Sequence, residues 1–270
     1  MTEAIKNRTM AQAWRLLWQH KILWVYVPIF YFFEYLVPSI YAEYVSVPTR
    51  YVSNFFLAVA ISIILVLITA TFYKNALSWI NDFSSAFLNS FKLGRKAIIL
   101  IFWGTVLGVI TAIQHDFPLI FRWLDGLTVM WFFVGFVVLK LLFMVCTVYV
   151  VVILVSSKAS LLSSVKRSFL FVKRTWLLLL AIAIELFLYL LLFNLVILAF
   201  NIIWVQISGA QWTFGALFRV VIAKLWFYQI TPFFWVILGL LFYGAISILY
   251  QRQIIQGYEE IVGEIPPYTL

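Results

Sequence analysis

Six apolar runs constrain this chain more than any other feature: 22–37, 51–73, 97–113, 129–155, 176–203 and 225–250, each 16 to 28 residues long and almost free of charge. A bilayer core takes about 20 apolar residues of α-helix to cross, so runs of this length read as membrane spans. Outer-membrane strands are about 10 residues of alternating polarity, and none of these runs alternates. Helices also satisfy their own backbone hydrogen bonds, which lipid demands. The expectation is an all-α, polytopic transmembrane helical bundle of six spans, forming one domain over residues 1–270. Composition leaves no room for a soluble domain: 65% of residues are hydrophobic and 11% charged, against roughly half and a quarter in a water-soluble globule.

The basic residues orient the bundle. Four lie before the first span (Lys6, Arg8, Arg15, Lys21), four between the second and third (Lys74, Lys92, Arg95, Lys96), five between the fourth and fifth (Lys158, Lys166, Arg167, Lys173, Arg174) and one, Arg252, after the sixth. The alternate loops hold only Arg50, Arg122, Arg219 and Lys224. The positive-inside rule therefore predicts cytoplasmic termini in a plasma membrane, with a bacterial inner membrane as the expected case. The net charge of +9 sits in short loops beside apolar runs, where it serves orientation and anionic headgroups rather than nucleic acid.

The most basic stretch, Ser156 to Trp176, reads as an amphipathic approach to the fifth span. Val165, Phe169 and Val172 are expected toward lipid, and Lys166, Arg167, Lys173 and Arg174 toward headgroups and cytoplasm. Before the first span, Met10, Ala13, Trp14 and Leu17 share one face of a helix expected on the cytoplasmic surface. Ala13-Trp14-x-Leu16, Ser90-Phe91-x-Leu93 and Ser168-Phe169-x-Phe171 repeat a small-aromatic-x-apolar pattern at offsets of 77 and 78 residues. Three tandem helical hairpins in parallel repeat would produce this, and so would the basic inner loops of any even-numbered bundle. After the sixth span, Ile254, Ile255, Tyr258, Ile261 and Val262 line one face of a further amphipathic helix on the membrane surface.

No reaction chemistry is readable. His20 and His115 fall on opposite sides of the membrane, and Cys146 is the single thiol. Metal-ligand spacing, a Gly-rich phosphate loop, a nucleophile elbow and a close carboxylate pair are all missing from the sequence. Asp116 and Asp125 read as a solvated outer loop. The chain is expected to be non-enzymatic, with no catalytic, metal or cofactor-binding residues and no cofactor.

Charges inside spans are the sharper candidates, since each costs about 2.5 to 3.5 kcal/mol at a span centre. Lys140 in the fourth span and Glu185 in the fifth are expected to form an interhelical ion pair. Such a pair either locks two helices together or belongs to a transport or proton path; the remaining reading leaves the two residues apart. Glu34, near the outer end of the first span, can reach the interface. Pro232 should bend the sixth span. Gly104-x-x-x-Gly108, extended by Ala112, gives the third span a small-residue face for packing inside the bundle or between two copies. Trp123, Trp131, Trp204 and Trp212 fall at outer boundaries, as interfacial anchors do.

Three motifs carry a resemblance. Ala13-Trp14-Arg15-Leu16-Leu17 precedes the first span, Phe72-Tyr73-Lys74-Asn75-Ala76-Leu77 ends the second, and Val165-Lys166-Arg167-Ser168 with Thr175-Trp176 precedes the fifth. With these the chain resembles a family of uncharacterised six-span integral membrane proteins, mostly bacterial, over nearly its whole length. It departs from the family pattern at Asn75-Ala76-Leu77, one Ala short, and at Leu177, where Gly is usual. The resemblance implies the six-span architecture and no activity. The functional expectation is an integral membrane protein acting through lipid or protein contacts. Its partners would be anionic lipid headgroups on the cytoplasmic side, a membrane protein partner or a homo-oligomer. The alternative is a small-solute or ion transporter or channel using Lys140 and Glu185.

Overall fold

The computed structural model describes residues 2–44, 50–80, 93–120, 125–207 and 225–255, with side chains over 9–41, 54–80, 93–114, 125–199 and 231–252. Ser90 and Phe91 of the middle copy of the repeat pattern, the amphipathic segment beyond Ile255 and the side chains of His115, Asp116, Trp123, Trp204 and Trp212 lie outside these bounds. In order, the elements are α1 (Thr2–Gln19), a 3-10 turn (Lys21–Val25), α2 (Tyr26–Tyr31), a π turn (Phe32–Leu36), α3 (Val37–Tyr44), α4 (Arg50–Ile80), α5 (Lys96–Ile120), α6 (Gly126–Cys146), α7 (Val150–Ser156), α8 (Leu161–Ile207) and α9 (Leu225–Ile255). Among the described residues there is no strand. Six stretches are long and apolar enough to cross a membrane: Lys21–Tyr41, Asn54–Ile80, Lys96–Gln114, Gly126–Ser156, Leu161–Ala199 and Thr231–Arg252. The chain is an all-α, multi-pass helical bundle.

The first span is assembled from short pieces, and its two prolines explain why. Pro28 falls in the first turn of α2, where a missing N–H is tolerated. Pro38 cannot donate to the carbonyl four residues back, at Glu34, so the backbone widens by one residue. The Val37 N–H bonds to the Phe32 carbonyl, closing the π turn that carries Glu34. In the sixth span, by contrast, α9 continues through Pro232 as one helix.

α4 and α5 are antiparallel and form the most extensive helix pair. A Cβ added at Gly104 would stand 2.6 Å from the Ile63 Cα, and one at Gly108 would stand 2.6 Å from the Val59 Cα. Only glycine lets the two backbones meet this closely. Ala112 is buried one turn farther along. This small-residue face is therefore covered by α4 of the same chain.

The fourth span is not the single helix expected over 129–155. Thr147–Tyr149 leave the helical path and separate α6 from α7. The Thr147 hydroxyl bonds back to the Phe143 carbonyl at 2.7 Å, competing with the regular ladder. The freed backbone groups find partners on α8. The Ser168 hydroxyl donates to the Cys146 carbonyl at 2.8 Å and accepts from the Tyr149 N–H at 3.1 Å. Beyond the break, Val150 to Val155 are buried on every side. The end of α7 is held by Lys96 Nζ, which donates to the Val155 carbonyl at 2.8 Å, and by Ser156 and Tyr250, whose hydroxyls lie 2.6 Å apart. α6 has no buried residue; its Trp131, Phe132, Leu139 and Leu142 point outward, as a lipid-facing helix requires.

α7 is the centre of a core gathered at one end of the bundle. Met10, Ala13 and Leu17 of α1, Ala70, Tyr73 and Ala76 of α4, and Leu241, Ala245 and Tyr250 of α9 join it there. The apolar face of α1 thus packs on protein, with Ala13 against Gly244. The basic approach of 156–176 runs straight into the fifth span as one helix, α8. At about 1.5 Å per residue its 47 residues reach roughly 70 Å, more than twice the bilayer core. Ser164, Ser168, Phe171, Val172, Thr175, Leu179 and Ile182 are buried, a stripe of helical period turned toward α7 and α9. This corrects the expectation that Val165 and Val172 face lipid: Val172 belongs to the core stripe and Val165 packs against the same core, whereas Phe169 is exposed.

Candidate functional site

Lys140 and Glu185 do not pair. The Lys140 ammonium donates to the side-chain oxygen of Gln114 on α5, and Glu185 accepts a 2.8 Å hydrogen bond from the Tyr189 hydroxyl one turn along α8. Tyr189 in turn meets the Trp14 ring edge-on, with centroids 6.5 Å apart, so this side of α8 looks toward α1. The expected ion pair is thereby corrected. Lys140 sits on α6, which forms an antiparallel hairpin with α5, and helical side chains lean toward the N-terminus of their helix. That lean carries the ammonium back toward the end of α5 where Gln114 lies. Neither Lys140 nor Glu185 lines the two cavities described below.

The first cavity, of about 420 Å³, opens among α1, the end of α4 and the end of α9. Arg15, Gln12, Gln19 and His20 come from the α1 side, Trp79 from α4, and Gln251 and Arg252 from α9. The local folding that places them begins at His20, where α1 stops and the chain turns into the first span. Trp24 Nε1 closes that turn by donating to the Leu17 carbonyl at 2.9 Å, one of the acceptors a helix end leaves unmet. His20 then stacks on Trp79, with centroids 4.1 Å apart and planes within 20°. Burial lowers the His20 pKa below its ordinary value, so the neutral ring is favoured there. Arg252 donates to the Thr9 hydroxyl at 2.9 Å and to the Gln12 side-chain oxygen at 2.6 Å, which fixes one guanidinium in the wall. Arg15 is exposed. The lining holds two guanidiniums and three amides with no carboxylate. Such a cup attracts an anion and can hydrogen-bond its oxygens.

A basic stripe accompanies the cup. Lys166, Lys173 and Arg174 are exposed and Arg167 is half-buried. Residues seven apart return to nearly the same side of a helix, so Lys166 with Lys173 makes a row opposite the buried Ser164, Ser168 and Phe171, while Arg167 with Arg174 makes a second row that flanks the buried stripe. Sequence reasoning identified this stripe but missed the cup, whose walls lie about 240 residues apart in the chain. At the other helix boundary, Asp125 caps α6 by accepting from the Thr128 N–H at 2.9 Å. The Thr128 side chain and backbone hydrogen bonds hold its carboxyl below the ordinary range.

The second cavity, of about 400 Å³, lies higher between the first span, α8 and α9, and Glu34 is its one charged wall residue. Against known proteins, no family model, no curated protein and no solved structure matches the chain.

Proposed function

We propose that this is a non-enzymatic plasma-membrane protein, with both termini in the cytoplasm, that holds anionic lipid headgroups at its cytoplasmic end. The cup carries the reading: Arg15 and Arg252 flank a polar cavity whose lining contains no carboxylate, and α8 exposes Lys166, Lys173 and Arg174. Supporting it is the distribution of Lys and Arg, concentrated in the loops at this end, where each basic side chain near an anionic surface contributes about 1 kcal/mol. Membership of the six-span family that the Trp14, Asn75 and Thr175 motifs resemble is part of the same proposal. The transport alternative rested on Lys140 and Glu185 acting together, and their separate partners remove that support.

The test is lipid retention in nanodiscs prepared from mixed phosphatidylglycerol and phosphatidylcholine, read by native mass spectrometry. Phosphatidylglycerol should be retained preferentially, and Arg15→Gln with Arg252→Gln should abolish the preference. Retention without headgroup preference, or a preference unchanged in the double variant, would sink the reading.

A further inference from the structure

The cavity around Glu34 is independent of the headgroup cup and has the opposite electrostatic character. Six of its fourteen lining residues are aromatic, among them Tyr35, Trp235, Phe242 and Tyr243, and its only ionisable groups besides these tyrosines is the Glu34 carboxylate. The first span extends to Tyr41, so Glu34 lies 13 residues, roughly 20 Å, from its Lys21 end and 7 residues, roughly 10 Å, from its outer end at 1.5 Å per residue, deeper than the interfacial position expected of it from the sequence. It makes no hydrogen bond or ion pair among the described residues, and its side chain is exposed to the groove. A carboxylate at this depth without a protein partner is costly, and intramembrane ionisable residues mark ligand paths for that reason.

We propose that this groove binds a lipophilic monocation entering from the bilayer, with Glu34 opposing its charge and the aromatic walls holding its apolar body. Charge complementarity selects the occupant. A lipid acyl chain would leave the carboxylate unmet, and a divalent metal ion would find a single carboxylate in a mostly apolar wall where several oxygen ligands are needed. Aromatic faces attract cations most strongly when both are shielded from water. The π turn around Phe32–Leu36 supplies the geometry, since it rotates Glu34 and Tyr35 relative to a regular helix and sets both in the same cavity wall. Gly239 forms part of the α9 wall, and a Cβ there would meet nothing within 4 Å. A larger side chain at that position grows into the groove without disturbing the bundle.

The experiment measures binding of radiolabelled tetraphenylphosphonium to the full chain in uncharged nanodiscs, with tetraphenylborate as a probe of the same shape and opposite charge. Saturable binding of the phosphonium alone is expected, weakened by about tenfold or more in Glu34→Gln, as loss of a charged partner implies. Gly239→Leu should abolish it while leaving the elution profile unchanged and the thermal unfolding midpoint no lower. Equal affinity in Glu34→Gln and the unaltered chain, competition by tetraphenylborate, or full binding in Gly239→Leu would each overturn the proposal. If Glu34→Gln fails to fold, the Gly239→Leu result and the borate comparison decide it.

Discussion

The Tyr149 N–H donates to the Ser168 hydroxyl across 3.1 Å, and that contact holds the broken fourth span against the fifth. Ser168 is fully buried and also serves the Cys146 carbonyl. Removing its hydroxyl leaves one backbone donor and one acceptor unmet in a site water does not reach. Ser168→Ala should cost about 1 to 3 kcal/mol, seen as a lower midpoint of thermal unfolding in detergent. Tyr149→Phe, which removes only the 3.1 Å contact with Thr175, should cost less. Unfolding of Ser168→Ala at the same temperature as the unaltered chain would show that the break has another support.

Glycines in this bundle should respond to substitution in opposite directions. At Gly104 and Gly108 an added Cβ would stand 2.6 Å from the backbone of α4, so α4 and α5 must separate. Gly104→Ala and Gly108→Ala should each destabilise by about 1 to 3 kcal/mol. At Gly135, on the outward side of α6, nothing lies within 4 Å. Gly135→Ala should be neutral or stabilising by up to about 1 kcal/mol, because alanine suits a helix better. Thermal unfolding of the three variants side by side checks the contrast.

These contacts show which features were legible in the sequence. Span number followed from run length and apolarity alone, because lipid excludes other backbone arrangements. The break at Thr147 did not, since Thr147-Val148-Tyr149 continues an apolar run without Gly or Pro, and only tertiary partners on α8 make an interruption affordable there. The repeated small-aromatic pattern carried positional meaning in the two copies described. Ala13 and Ser168 are both fully buried, while Trp14 is half-buried and Phe169 exposed. The cavity between α1, α4 and α9 was invisible because Gln12, Trp79 and Arg252 converge only when α1 packs on α9. The partner of Lys140 was within reach. α5 and α6 form an antiparallel hairpin centred near Asp125, which brings Gln114 close to Lys140, whereas the search for an opposite charge led to α8.

Acid should loosen the α1 end of the molecule. His20 has its pKa lowered by burial from an ordinary 6.5, so the folded state binds the proton less readily than the unfolded chain does. Above about pH 6.5 both states are neutral there and the group is without effect. As pH falls from 6.5 toward the lowered folded value, the unfolded chain is protonated first and stability is lost. In uncharged detergent, the unfolding midpoint should therefore decline over this interval. His20→Gln should flatten the decline, and parallel pH profiles for the two proteins would assign the acid sensitivity elsewhere.

Lys140 offers the cleanest distinction between a local hydrogen bond and a long-range charge pair. Its ammonium is held by Gln114, while Glu185 is engaged by Tyr189. A double-mutant cycle between Lys140→Met and Gln114→Leu should therefore give a coupling of about 0.6 kcal/mol, with about 1.7 kcal/mol as the upper end for polar contacts between membrane helices. The cycle between Lys140→Met and Glu185→Gln should give a coupling near zero, because residues with separate partners and no contact between them contribute additively. Unfolding in mixed micelles measures both cycles on the same scale. A larger coupling to Glu185 than to Gln114 would restore the ion pair. The expected order instead leaves each residue anchored by a neutral neighbour, Lys140 tying α6 to α5 and Glu185 steadying the Tyr189 ring against α1.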